Sequence, residues 1–172
     1  LPRAIRPEFT KKYEKIIKKL ISSLKLKDNT FVHRDFHVSN LMINKNKIFI
    51  IDSQDALYGN ITYDLASLID DVRLRTSKKF KEMIYQKYFY LNKKKINKMK
   101  FKNDFEILSV LRNLKVIGIF TRLALRDKKK KYLQLIPYTW KLIEDRINNN
   151  DLFIDLKKIL EKEFPKKIRI KK

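Results

Sequence analysis

His33-Arg34-Asp35-Phe36-His37-Val38-Ser39-Asn40 holds both histidines of a 172-residue chain within five positions. Asp35 and Asn40 stand in an Asp-x4-Asn relation, and Asp52 follows twelve residues after Asn40. Between them lie two short apolar runs, Leu41-Met42-Ile43 and Ile48-Phe49-Ile50-Ile51, separated by Asn44-Lys45-Asn46-Lys47. This spacing predicts a β-hairpin with a polar turn, although the preferred Asn-Gly pair is lacking. A hairpin there returns Asn40 and Asp52 to one end of the same small sheet. Phosphoryl transfer needs such a set. A carboxylate must orient the attacking hydroxyl and accept its proton, and hard oxygen ligands must hold Mg²⁺ against nucleotide phosphates.

Upstream, Phe9, Tyr13, Ile16, Ile17, Leu20 and Leu24 recur at helical spacing with Lys on the other face, predicting an amphipathic helix over 8–27. Asp28-Asn29-Thr30 breaks it, and Phe31-Val32-His33 reads as a short apolar entry to the loop. After Asp52 comes a loop containing Gly59, then helices near 62–75, 78–91, 103–126, 130–149 and 151–163. The tail after Pro165 reads as a frayed, Lys-rich fringe. No internal repeat or linker suggests a second domain.

Composition narrows the choices. The chain length and a 44% hydrophobic, 35% charged balance suit one soluble globular domain. No apolar run approaches the roughly 20 residues needed to cross a bilayer, and the basic start Leu1-Pro2-Arg3 is not followed by a signal-peptide core, so a cytosolic protein is expected. The absence of Cys excludes disulfides, thiol nucleophiles and thiolate metal sites. Its two glycines, Gly59 and Gly118, lie too far apart for any Gly-rich phosphate loop, which needs two within about six residues. The net charge of +23 invites a nucleic-acid reading, with Lys78-Lys79, Lys93-Lys94-Lys95 and Lys128-Lys129-Lys130-Lys131 as phosphate contacts. These runs are dispersed. Lys, Ile and Asn make up 66 of the 172 residues, the bias of an AT-rich coding sequence, and Tyr85, Tyr88, Phe89 and Tyr90 are more economically helix core than base-stacking platforms.

The loop HRDFHVSN resembles the catalytic loop of the protein-kinase-like superfamily. His37, two places after Asp35, stands where protein kinases carry Lys and the aminoglycoside phosphotransferase/choline kinase branch carries His. Ile51-Asp52-Ser53-Gln54-Asp55 takes the place of the metal-binding Asp segment, and Ile61-Thr62-Tyr63-Asp64-Leu65-Ala66-Ser67-Leu68 resembles the helix-opening YDLA element of that branch. The phrase IDSQDALYGNITYDLASLIDD, with RNLKVIGIFTRLALRD and YLQLIPYTW, is similar to bacterial anomeric sugar kinases. Those enzymes phosphorylate N-acetylmuramate and N-acetylglucosamine at the anomeric hydroxyl in cell-wall recycling. The similarity runs from about residue 31 to about residue 147.

The resemblance implies an α+β, mostly helical C-terminal lobe of a kinase-like fold over residues 1–172, with the nucleotide-covering N-terminal lobe outside this chain. It implies ATP and Mg²⁺ as cofactors, a sugar or amino-sugar acceptor and the missing N-terminal lobe as partners, and poor catalysis by these residues alone. Asp35 would be the catalytic base, and Asn40 and Asp52 the Mg²⁺ ligands. His37 would lie close to the transferred phosphate, and His33 would brace the loop. Asp64 is expected as a bracing carboxylate that caps the start of the 62–75 helix. Asp55 meets substrate or ties the loop, and Arg34 pairs with a structural carboxylate or with phosphate. One departure is Ser53, where relatives usually carry an aromatic residue beside the metal-binding Asp.

The helix expected at 103–126 carries Arg112, Asn113, Lys115 and Arg122 among too many apolar residues for a surface helix. A cation there requires a partner. For Arg112 that partner is either a carboxylate inside the lobe or an acidic group of the substrate. Two other functions compete with the kinase reading. One is a basic helical nucleic-acid-binding protein. The other is a metal-dependent hydrolase using His33, Asp35 and His37.

Overall fold

The computed structural model describes residues 7–94 and 96–169. The Leu1-Pro2-Arg3 start, Lys95 and the last three residues of the tail lie outside them. The molecule is α+β and mostly helical. In chain order the elements are α1 (Pro7–Ser22), β1 (Thr30–Val32), β2 (Leu41–Asn44), β3 (Lys47–Ile50), β4 (Leu57–Gly59) and α2 (Thr62–Ile69). Then follow α3 (Lys78–Asn92), α4 (Lys98–Leu125), α5 (Ile136–Ile147), α6 (Ile154–Glu163) and α7 (Lys166–Arg169). Short 3₁₀ turns span Val38–Asn40, Lys130–Leu135 and Asp151–Phe153.

The expected hairpin forms from β2 and β3, with Leu41 opposite Ile50 and Asn44 opposite Lys47. The connecting pair Lys45-Asn46 lies at φ 45° and 60°. This is the left-handed conformation of a two-residue hairpin turn, held without glycine. A second sheet was not foreseen. The segments read as a loop entry and a Gly59 loop pair antiparallel as β1 and β4, with Phe31 opposite Tyr58 and Gly59 opposite Thr30. Three-residue strands are too short to show alternation, so they read as loop in sequence.

Helix α4 is the axis of the helical body. It starts five residues earlier than expected because Asn97 accepts hydrogen bonds from the Met99 and Lys100 amides, a cap that precedes an exposed, Lys-rich first turn. Three apolar clusters pack on it. Ile16 and Leu20 of α1 meet Ile107 and Val110 of α4, Trp140 and Ile143 of α5, and Leu156 and Leu160 of α6. Leu65, Ala66 and Ile69 of α2 meet Phe101 and Phe105, against which α3 lays Tyr85, Tyr88 and Phe89. Val72, Phe120 and Leu142 form the third. Tyr90, expected in the core, is instead exposed, with Lys93 Nζ 4.0 Å from its ring centre.

Other boundaries move for local reasons. Helix α1 stops at Ser22, where the Ser22 and Ser23 hydroxyls donate to the Lys19 carbonyl. Helix α2 is half the expected length and ends at Asp70. The described tail is not frayed: α7 buries Arg169, which donates to Glu144 at 2.7 Å and lies over Trp140.

Candidate active site

The segment from His33 to Asn40 joins β1 to the β2–β3 hairpin, and α2 with the residues just past it holds the segment at two points. The Asp64 carboxylate accepts the His33 amide at 2.6 Å and the Arg34 amide at 3.0 Å. Asp71, just past the end of α2, accepts the Val38 amide at 3.0 Å. These bonds bracket Asp35 and His37, so the loop backbone is anchored on both sides of the reactive positions. Asp64 thus accepts two loop amides and does not cap the helix. That work is done by Asn60, whose Oδ1 accepts the Thr62 amide and hydroxyl. Burial lifts Asp64 above the usual carboxylate range, against the pull of its two amide bonds.

Within the loop, Asp35 is exposed, and its carbonyl accepts the His37 amide and the Asn40 Nδ2. Asn40 is buried, with its amide nitrogen committed to that bond at 2.9 Å, which leaves Oδ1 uncommitted. The Asn40 carbonyl accepts the Ile51 amide at 3.1 Å, extending the β2–β3 ladder by one step. The hairpin thus brings Asp52 back beside Asn40. Arg34 and Asp52 lie at φ 74° and 70°, left-handed conformations that cost non-glycine residues roughly 1–3 kcal/mol each. Such strain persists only where neighbours impose it. Here Asp64 holds the Arg34 amide, and Gln54 Nε2 donates to Asp52 Oδ1 at 2.9 Å.

The two histidines differ. His33 is buried and its Nε2 donates to the Ile51 carbonyl at 2.9 Å, tying the loop to the segment that carries Asp52. His37 is half-buried, and burial followed by the Arg73 guanidinium lowers its pKa, so the ring is neutral at pH 7. Among the described residues no group of three His, Cys, Asp or Glu side chains is placed to hold a metal. Asn40 and Asp52 offer the hard oxygen donors that Mg²⁺ prefers, and two protein ligands suffice for an ion that keeps waters and phosphates in its shell. Arg34 Nη1 donates to the Asp55 carbonyl at 3.3 Å and, among the described residues, to no carboxylate. Asp55 itself is exposed.

A family model described as the phosphotransferase enzyme family matches residues 3–97. The chain belongs to that family. This phosphotransferase-family chain is also similar to three curated bacterial proteins named N-acetylmuramate/N-acetylglucosamine kinase. It is 36% identical to the one from Neisseria meningitidis serogroup B over 132 residues, 73% of this chain and 39% of that protein. It is 29% identical to the one from Pseudomonas aeruginosa over 156 residues, 87% of this chain and 46% of that protein. Identity to the one from Caulobacter vibrioides is 29% over 115 residues, 64% of this chain and 31% of that protein. This phosphotransferase-family chain therefore spans less than half the length of the relatives it matches.

Three residues important to the site were invisible in sequence. Asp71 was one of two adjacent acids at a helix end, with nothing to say that its carboxylate would reach 33 residues back to Val38. Asp104 is fully buried and accepts the Lys25 and Leu26 amides, Asn60 Nδ2 and Asn103 Nδ2. Asn60 links that carboxylate to the start of α2. The only available signal was carboxylates and amides in a chain otherwise rich in Lys. A cavity of about 500 Å³ lined by Asp70, Lys81, Tyr85, Phe105, Glu106 and Arg146 lies among α3, α4 and α5, and neither Asp35, Asn40 nor Asp52 lines it.

Proposed function

We propose that these residues form the acceptor- and metal-binding lobe of a kinase-like fold. The activity is transfer of the ATP γ-phosphoryl group to the anomeric hydroxyl of an N-acetylated amino sugar. What supports the reading is the β2–β3 hairpin, whose ladder continues through the bond from the Ile51 amide, next to Asp52, to the Asn40 carbonyl, with Asp35 exposed on a loop anchored by Asp64 and Asp71. The names of the relatives support the acceptor class. Asp35 orients the acceptor hydroxyl and takes its proton as the bond to phosphorus forms. Asn40 Oδ1 and the Asp52 carboxylate would hold Mg²⁺, which would neutralise charge on the phosphates. His37, neutral and beside Asp35, lies near the transferred group and can donate a hydrogen bond without adding a fixed charge. His33 braces the loop.

Met42, Ile43, Ile48, Phe49 and Ile50 of the hairpin are all exposed, an apolar surface suited to cover by a nucleotide-binding lobe elsewhere in the same protein. ATP as donor puts the reaction in the cytoplasm. Catalysis by these residues alone is expected to be weak. The test is ATP-dependent phosphorylation of N-acetylmuramate and N-acetylglucosamine by the complete protein encoded in the reading frame that contains this chain. Asp35→Asn should fold normally and lose about 10²–10⁴-fold in kcat. Retained activity would exclude Asp35 as the base.

A further inference from the structure

Arg112 stands apart among the buried cations. Arg169 has Glu144 at 2.7 Å, Arg146 has Asp70 at 3.3 Å, and Lys81 has Asp70 at 3.6 Å. Arg112 is 7% exposed and, among the described residues, makes neither a hydrogen bond nor an ion pair. A guanidinium carries five N–H donors in a rigid fork, and no Arg112 nitrogen is among the buried side-chain atoms that lack a partner, so the stem is buried while the fork still meets solvent. Burial accordingly lowers its pKa.

The two acids nearest in charge do not fill this gap. Asp70 is already taken by Ser109, Asn113, Arg146 and Lys81. Asp71 is taken by the Val38 amide and by the amide and guanidinium of Arg73. Both therefore face α4 with their acceptors committed. On α4, Arg112 stands next to Asn113 and one turn after Ser109, both of which bond Asp70, and the adjacent Asp71 holds the Val38 amide, which sets Arg112 close to the loop that carries Asp35. It approaches from the helical body, since α4 packs on α2, whereas Asn40 and Asp52 flank the two ends of the hairpin. In-line transfer brings the acceptor to Asp35 from the side away from metal and nucleotide. A buried cation with an unused planar fork on that side suits a carboxylate, which it can bind through two parallel bonds.

We propose that Arg112 is the carboxylate-binding corner of the acceptor site and sets a preference for an acidic amino sugar over its neutral counterpart. This rests on the sugar-kinase reading above. N-acetylmuramate carries such a carboxylate on its lactyl ether, and N-acetylglucosamine does not.

The test compares N-acetylmuramate with its carboxyl methyl ester, and both with N-acetylglucosamine, in the complete protein. In the wild type, esterification should raise KM about 10- to 100-fold, the usual size of a charge-assisted pair. In Arg112→Met, which keeps the packing of the side-chain stem, acid and ester should become equal. Arg112→Lys, a point charge without the fork, should fall between. Because the ester measurement uses unaltered protein, it stands even where a variant folds poorly. Equal KM for acid and ester in the wild type overturns the proposal while leaving the kinase reading intact. A rise in KM for ATP with every acceptor in Arg112→Met assigns the fork to nucleotide phosphate and overturns it too. Failure of the wild type to phosphorylate either sugar removes the kinase reading itself, and this proposal with it.

Discussion

Asp71 is buried and looks structural, yet its two oxygens serve different purposes. Oδ1 accepts the amide and guanidinium of Arg73, and Oδ2 accepts the Val38 amide three residues after Asp35. Asp64 does the same work at the other end of the loop, through the His33 and Arg34 amides. Together they impose a backbone that would otherwise relax, since Arg34 lies at φ 74°. Asp71→Ala should destabilise the fold by about 1–3 kcal/mol in urea unfolding, because the Val38 amide loses its acceptor while partly buried. It should also lower kcat more than KM, because the acceptor can still bind while Asp35 is no longer held. Asp71→Asn, which keeps one acceptor oxygen, should recover part of both. Asp35, Asn40 and Asp52 stood out as candidates by residue type and spacing, because phosphoryl transfer restricts which side chains can serve. The acids that hold them were not legible, because any carboxylate can accept an amide and only the folded path of the chain selects which one does.

At the scale of elements, the β2–β3 hairpin decides whether the site assembles. Its register sets Leu41 against Ile50, and one further amide bond from Ile51 to Asn40 delivers Asp52. The turn is its weak point, because Lys45 and Asn46 both occupy the left-handed region. Replacing Lys45-Asn46 by Asn-Gly should stabilise the hairpin by about 1 kcal/mol. Slower hydrogen exchange at the cross-strand amides of residues 41–50, with the rest of the chain unchanged, would register it; unchanged exchange would show that the turn does not limit opening. The hairpin was readable in sequence because two apolar runs flanked a polar turn. The β1–β4 pair was not, since each strand has three residues and its partner lies beyond the whole hairpin. The long α4 was readable as central from its apolar content, while its start depended on one Asn cap among polar neighbours.

Across the whole molecule, Asp104 joins what the helical body would otherwise leave loose. From α4 it holds the Lys25 and Leu26 amides of the segment leading into the loop, and Asn60 at the head of α2. All three donor distances are 2.7–2.8 Å, and the carboxylate is fully buried. Asp104→Ala should cost about 2–4 kcal/mol, read as a lower urea midpoint, by orphaning several buried donors at once. Preservation of the midpoint would mean that water or a rearranged neighbour replaces it. The +23 charge, in contrast, has little bearing on architecture, since most Lys side chains are solvated and the cations that matter are the few buried ones. The sequence by itself determined the helical class and the hairpin and singled out Asp35, Asn40 and Asp52 as candidates, because periodicity and residue type are local properties. Only the tertiary structure decided which carboxylates anchor the loop, that Asn60 rather than Asp64 caps α2, and that Arg112 is left without a partner. Each of these depends on groups distant in sequence competing for the same few buried donors and acceptors.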